Sequence, residues 1–213
     1  HTVMEVWPGG GWYTEILAPA LKDKGKLYAA QYSVNPSYGY QRRYFGNCLT
    51  KLGSKPDVYM DVEITTLYFP YALKIAPAGT ADMVLSFRNA HNWVNPAYGK
   101  QAGPLSFKVM YNALKPGGVL GLVDHRWPDA GTEDPNAGNG YVSEERIIKL
   151  AEEAGFKLAA RSDMNRNPRD DHEHPSGVWT LPPSLALGDK DREKYLSIGE
   201  SDRMTLKFVK PAR

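Results

Sequence analysis

Thr2-Val-Met-Glu-Val6, followed at once by Trp7-Pro-Gly-Gly-Gly11 and then by Trp12-Tyr-Thr-Glu-Ile-Leu17, is the stretch that decides the fold. The first five residues form a short apolar run of strand length. Pro8 and three glycines then punctuate the chain. Past them, Trp12, Ile16, Leu17 and Leu21 recur at helical spacing, which predicts a helix over 12–21 ended by Gly25. Lys26-Leu-Tyr-Ala-Ala30 reads as a second strand. Strand, glycine-rich turn, helix and strand make a βαβ unit, whose crossover is right-handed and whose strands are parallel.

Working outward, 38–52 reads as a helix, 58–60 as a third strand, and Ala81-Asp-Met-Val-Leu-Ser-Phe87 as a fourth. That fourth run is apolar enough to be covered on both faces. Residues 105–114 are helical and stop at Lys115-Pro-Gly-Gly118, and Val119-Leu-Gly-Leu-Val123 is a fifth strand. Ser143, with Glu144 and Glu145 behind it, caps a helix that ends at Gly155. Residues 156–160 and 204–209 supply two last strands. The alternation predicts an α/β fold: a Rossmann-like, seven-stranded, mostly parallel sheet with helices on both faces and its last strand antiparallel. One domain over 1–213 is expected, with the Pro-, Asp- and Arg-rich stretch 163–202 as an irregular insertion or lid. The chain opens at His1, already inside the first strand, so an N-terminal segment is expected to be missing.

Composition narrows the function classes. A chain of 213 residues with 42% apolar and 23% charged side chains can build a core without disulfides. The single cysteine, Cys48, can make neither an intrachain disulfide nor a thiolate metal cage, and reads as a thiol on or beneath a helix. A net charge of +2, with signs interspersed, gives no footprint for nucleic acid or an anionic membrane. No apolar run is long enough to span a bilayer.

In open α/β sheets the ligand lies outside the carboxyl ends of the strands, so those ends hold the candidate site. Gly9, Gly10 and Gly11 let backbone approach a ligand closely, beside a helix N-terminus and behind an acid, Glu5. Their spacing is not the Gly-x-Gly-x-x-Gly of dinucleotide enzymes, and the second strand ends in Gln31 instead of an acid, which disfavours a nicotinamide oxidoreductase. After the fourth strand, Arg88-Asn-Ala-His-Asn-Trp93 brings a cation, two amides, an imidazole and an indole to the same edge; after the fifth comes Asp124-His-Arg126. His91, His125 and Asp124 are candidate bases for an acceptor that must lose a proton. Asp170-Asp-His-Glu-His174 has metal-ligating residue types, but its histidines lack helical His-x-x-x-His spacing, so a solvated polar loop is expected and no metal is assigned. Metal-dependent hydrolysis there would need ligands from elsewhere in the chain. Tyr13, Tyr32, Tyr38, Tyr40, Trp93, Trp127 and Trp179 could line an aromatic pocket or pack in the core.

The run Glu5-Val-Trp-Pro-Gly-Gly-Gly-Trp-Tyr-Thr-Glu-Ile-Leu-Ala-Pro19 resembles motif I of class I S-adenosylmethionine (SAM)-dependent methyltransferases. It is especially similar to a bacterial family of predicted methyltransferases with a Pro-Gly-Gly-Gly turn. Residues 81–93, 114–126, 143–156 and 201–211 follow in the same order, and Leu114-Lys-Pro-Gly-Gly118 is common across the superfamily. The resemblance implies that Gly9, Gly10 and Gly11 pack against the methionine part of SAM with Glu5 anchoring the loop. It implies Gln31 at the ribose, Glu63 at the adenine amino group, and Ser86 and Arg88 completing the cofactor side. Asn89, Asn92, Trp93 and Arg126 would meet the substrate. The function expected is methyl transfer from SAM to a small-molecule acceptor; the alternative is a SAM- or S-adenosylhomocysteine-binding protein without transfer. SAM supply places such an enzyme in the cytoplasm, and a missing N-terminal segment leaves export open.

Overall fold

The computed structural model describes residues 1–212. The glycine turn joins strand β1 (Thr2–Val6) to helix α1 (Thr14–Leu21), and strand β2 (Lys26–Gln31) returns parallel to β1 with Val6 opposite Ala30. Helices α2 (Gly39–Ser54) and α3 (Pro56–Tyr59) lead to β3 (Val62–Thr66), parallel to β2 at one sheet edge. The chain then crosses back to β4 (Ala81–Phe87), on the other side of β1. Helices α4 (Ala90–Val94) and α5 (Ala102–Ala113) precede the long β5 (Leu114–Trp127). A two-residue strand β6 (Val142–Ser143) opens α6 (Glu144–Ala154), followed by β7 (Lys157–Ser162), α7 (Arg192–Ile198) and β8 (Arg203–Val209).

The sheet order is β3-β2-β1-β4-β5-β8-β7, with β6 paired to β5 off that path. The first five strands are mutually parallel, and β8 inserts antiparallel between β5 and β7. β2 and β4 leave β1 on opposite sides, so the sheet splits its connections there and opens a crevice at the carboxyl ends. The Rossmann-like expectation, including the antiparallel last strand, is met.

Burial explains why these residues make these elements. Met4, Val84, Leu120, Leu122, Leu206 and Phe208 are buried in the sheet, and Phe107, Met110, Ile147 and Ala151 of α5 and α6 cover it. Each large side chain removed from water contributes about 1.5–3 kcal/mol. Helix α6 has both ends specified: the Ser143 hydroxyl accepts from the Arg146 N–H at 3.3 Å, and Gly155 closes it at φ 109°. Helix α2 differs, burying only Gln41 and Cys48, with Cys48 facing the glycine turn. No described helix is long and apolar enough to cross a membrane.

Three local expectations fail. The third strand is not 58–60: Pro56 starts a helical turn there, and the β-branched run Val62–Thr66 makes the strand four residues later. The fifth strand is not confined to 119–123: Lys115-Pro-Gly-Gly118 follows the end of α5 as expected but already belongs to β5, with Gly117 donating to the Lys210 carbonyl and Gly118 accepting from Lys210. The stretch 163–202 contains α7 and a 3-10 turn at Gly177–Thr180.

Candidate functional site

A cleft of about 840 Å³ opens at the carboxyl ends of β1, β4 and β5. Its floor at one end is the motif around Glu5. Thr14 Oγ1 donates to Glu5 Oε2 at 2.6 Å, while Oε1 is buried without a partner. Burial, opposed by the Thr14 bond, pushes the Glu5 carboxyl up to about 7. Above it the chain turns through Trp7 (φ 49°), Gly9 (φ 58°) and Gly11 (φ 80°), left-handed conformations that glycine adopts without strain and tryptophan does not. Trp7 is held there by its indole N–H, which donates to the Leu67 carbonyl at 3.0 Å, and by the rings of Tyr32, Phe69, Trp93 and Tyr98 around it. Nothing lies within 4 Å of where a Gly9 Cβ would stand. Tyr38 and Tyr40, at the start of α2, reach across to the 96–98 turn: Tyr38 donates to the Ala97 carbonyl at 3.0 Å, and the Tyr40 and Tyr98 hydroxyls bond to each other.

At the other end, His91 lines the cleft from the first turn of α4. Its Nδ1 lies 2.8 Å from Asp124 Oδ1, and its backbone N–H donates to Asp124 Oδ2 at 3.0 Å. Asp124 is fully buried beneath it on β5; burial alone would raise its carboxyl, but the His91 and His125 rings and the His125 N–H hold it below the usual range. His125 faces His91 with ring centroids 5.3 Å apart and has Nδ1 2.5 Å from Ser201 Oγ. Burial brings the His125 imidazole down to about 3, so it is neutral. Trp179, from the 3-10 turn, stands edge-on to His91 at 6.2 Å, and the Tyr13 and Phe87 rings, stacked at 3.7 Å, also line the cleft. Arg88, at φ 60°, also lines the cleft and makes no ion pair among the described residues.

The structure therefore brings Glu5, Gly9, Gly10, Arg88, Asn89, His91, Asn92 and His125 to one cleft, with Gly11 in the same turn and Asp124 just behind. Asn89 serves the turn, donating through Nδ2 to the Val6 carbonyl at 2.9 Å. Other expected residues lie elsewhere. Glu63 is exposed in the first half of β3 and pairs with Lys26 at 3.0 Å, because the strand begins later than its sequence indicates. Gln31 is buried, donating to the Gly9 carbonyl at 3.0 Å, which makes it a prop of the turn. Ser86 is sealed inside β4 with its hydroxyl unpartnered. Trp93 packs in the core between Trp7 and Phe107. Arg126 points to Asp202, with Nη2 2.9 Å from Oδ1, and to Glu144.

The Asp170–His174 segment is not a solvated loop. Asp170 is buried and accepts from Tyr141, His174 and the N–H groups of His172 and Asp202. That knot ties 170–174 to Tyr141 and to Asp202, just before β8. His91, Asp124 and His125, like Asp170, Asp171 and His174, are close enough to share an ion, but Asp124 and Asp170 already accept several hydrogen bonds. Sequence reasoning did not single out Trp7, Tyr98, Phe87 or Ser201, whose roles come from segments distant along the chain.

No protein-family model matches the chain, and a search of curated proteins found no match. Solved structures share its architecture at low identity. A SAM-dependent methyltransferase from Aquifex aeolicus is 16% identical with a TM-score of 0.55, covering 98% of this chain and 81% of that one. One from Methanosarcina mazei is 10% identical with a TM-score of 0.63, covering 100% and 93%. The 4+2 cyclase SpnF is 18% identical with a TM-score of 0.60, covering 100% and 75%. The fold is that of the class I methyltransferases, and one fold hosts more than one chemistry.

Proposed function

We propose that this chain transfers the methyl group of SAM to a small-molecule acceptor. The observation that carries the reading is the Glu5 Oε1 atom, buried without a partner in the cleft floor beneath the open Gly9–Gly11 turn. A buried acceptor left unpaired costs about 1–3 kcal/mol, so it fits a site completed by a donor-bearing cation. The residues present fit SAM in that respect: Glu5 and the Gly9 and Gly10 backbone would hold the methionine end, and the Tyr32, Tyr40 and Tyr98 rings offer stacking surfaces beyond the turn. Bound SAM supplies a methyl group on a sulfonium. The protein's own contribution is alignment, exclusion of water beneath the 177–184 segment, and a proton acceptor at His91 Nε2. Residues 163–202 act in this reading as the roof of the acceptor side of a single domain.

Calorimetric titration with SAM and S-adenosylhomocysteine tests it, on the wild type and on Gly10→Arg. A Cβ at Gly10 has the Tyr44 ring at 3.6 Å and Asn47 at 3.8 Å, so a methyl group fits and an arginine does not. Micromolar binding that Gly10→Ala keeps and Gly10→Arg loses is expected. A folded wild type that binds neither ligand would overturn the proposal.

A further inference from the structure

At the end of the cleft away from Glu5, His91 has one ring nitrogen committed and one free. Nδ1 and the backbone N–H are both tied to Asp124, at 2.8 and 3.0 Å, so the ring cannot turn. The proton shared with the carboxylate sits on Nδ1, leaving Nε2 as an acceptor. No described group bonds Nε2. The neighbouring His125 does not compete, being bonded to Ser201 through Nδ1 and held neutral by burial.

The surroundings decide whose proton Nε2 takes. Among the residues lining the cleft, Glu5 is the only acid, and it stands on β1, two strands across the sheet from Asp124 on β5. The charged groups whose fields reach the adjoining His125 are Asp124, already bonded to His91, Arg203, paired with Glu200, and Arg88, a cation without a counterion among the described residues. An amine, protonated below about pH 10, would meet a like charge and no free carboxylate. A carboxylate acceptor has no proton to give, and an aliphatic alcohol is too weak an acid for an imidazole. A phenol, with a pKa of about 10, is neutral on arrival and within reach of a carboxylate-backed histidine. The walls are flat: Trp179 stands beside His91, and the Tyr13–Phe87 stack has an interplanar angle of 13°.

We propose that the methyl acceptor is a phenol, a hydroxylated planar ring held beside Trp179 with its hydroxyl on His91 Nε2 and its developing negative charge balanced by Arg88. The inference rests on the methyl-transfer reading above. The O–H proton passes to His91 Nε2. The phenolic oxygen forms the O–CH3 bond as the S–CH3 bond breaks, and that electron pair stays on sulfur. The products are an aryl methyl ether and S-adenosylhomocysteine, and His91 returns its proton to water.

The probe is 4-nitrophenol, whose ionised form is coloured, titrated into the protein with and without S-adenosylhomocysteine and followed by absorption and calorimetry. Binding is expected, with the ionised fraction well above that of the free phenol at the same mildly acidic pH. His91→Gln is expected to keep most of the binding and lose the extra ionisation, and Trp179→Ala to bind at least tenfold more weakly. Should His91→Gln unfold, Arg88→Met reads the same loss of ionisation with binding kept. Refusal of 4-nitrophenol by folded wild type, equal ionisation in His91→Gln, or tighter binding of benzylamine would overturn the proposal. Nitrophenol bound while S-adenosylhomocysteine is refused counts against methyl transfer alone; the reverse counts against the phenol alone.

Discussion

His91 and Asp124 meet twice, ring to carboxylate at 2.8 Å and backbone N–H to the same carboxylate at 3.0 Å. The double contact fixes both the tautomer and the direction of the imidazole. Asp124 touches no ligand in this arrangement and acts as a positioning residue. Asp124→Asn keeps the size and one acceptor oxygen but can place the ring proton on the wrong nitrogen. Methyl transfer is expected to fall about 10²–10⁴-fold, with the loss in kcat and little change in KM for SAM. Steady-state kinetics checks it on protein whose active fraction is fixed by the stoichiometry of calorimetric SAM binding: a loss of folding lowers that stoichiometry along with apparent kcat, whereas a lost positioning contact lowers kcat alone.

Glu5 opposes stability and, in the proposed function, holds the methionine end of SAM. Its carboxyl is pushed up to about 7 from an ordinary 4.5, burial being the cause and the Thr14 bond the smaller opposing effect. The folded state thus holds a proton that the unfolded chain releases, so stability falls as pH rises from about 4.5 to about 7 and levels off above. Glu5→Gln removes that loss, worth at most about 3 kcal/mol from the size of the shift. The variant is expected to melt higher than wild type at pH 8, with the gap closing near pH 4, and to bind SAM more weakly. Thermal unfolding at both pH values, beside calorimetry, checks the two halves.

Gly177 (φ 54°) holds the roof of the acceptor side. Its N–H donates to the His174 carbonyl at 2.9 Å, the next N–H donates to Asn139 at 2.9 Å, and a Cβ would run into the Asn139 carbonyl. Gly177→Ala combines left-handed strain with that collision, for a cost of about 3 kcal/mol. Denaturant unfolding should read the loss. Nitrophenol binding should weaken with Trp179 displaced, while S-adenosylhomocysteine binding should persist because the glycine turn is untouched.

Asp202 ties the 163–202 stretch to the sheet through Arg126, whose Nη2 is 2.9 Å away, with His172 Nε2 at 3.6 Å. Burial would raise the Asp202 carboxyl, but His172, Arg126 and the Asn167 N–H hold it well below the usual range. His172 moves the other way: burial lowers it, and the Asp202 and Asp170 carboxylates more than compensate. The carboxylate's contribution is present above its ordinary value near 4 and is lost as pH falls through its depressed one. The imidazolium's contribution is full below about 6.5 and is lost as pH rises through its raised value. The share of stability that Asp202 and His172 contribute should therefore decline on both sides of a mildly acidic to neutral window, on top of the Glu5 slope. Asp202→Asn should flatten both limbs and cost about 3 kcal/mol inside the window, measured by chemical denaturation across pH.

The first βαβ unit was legible because its information is local: an apolar run, Pro8 with three glycines, then helical spacing from Trp12. Val62–Thr66 was misplaced because an edge strand with Glu63, Ile64 and Thr65 facing partly into water carries a weak hydrophobic signal, while Val58 and Tyr59 carry a stronger one that a Pro-started turn claims. That slip put Glu63 at a site it does not reach. Arg126 and Trp93 were sorted by neighbourhood along the chain, yet one residue's shift along a strand or helix turn sends a side chain to another face.

The strand–turn–helix order, the antiparallel last strand and the placement of Glu5, Gly9, Gly10, His91 and His125 at carboxyl ends of strands can be read along the chain, since hydrophobic period and turn chemistry act over a few residues. Long-range packing alone puts Asp124 behind His91, Gln31 under Gly9, Trp7 among rings from four other segments, and Trp179 beside His91. Those relations join residues up to 91 positions apart. They follow from which side chains can be buried and satisfied together, and no local pattern encodes that.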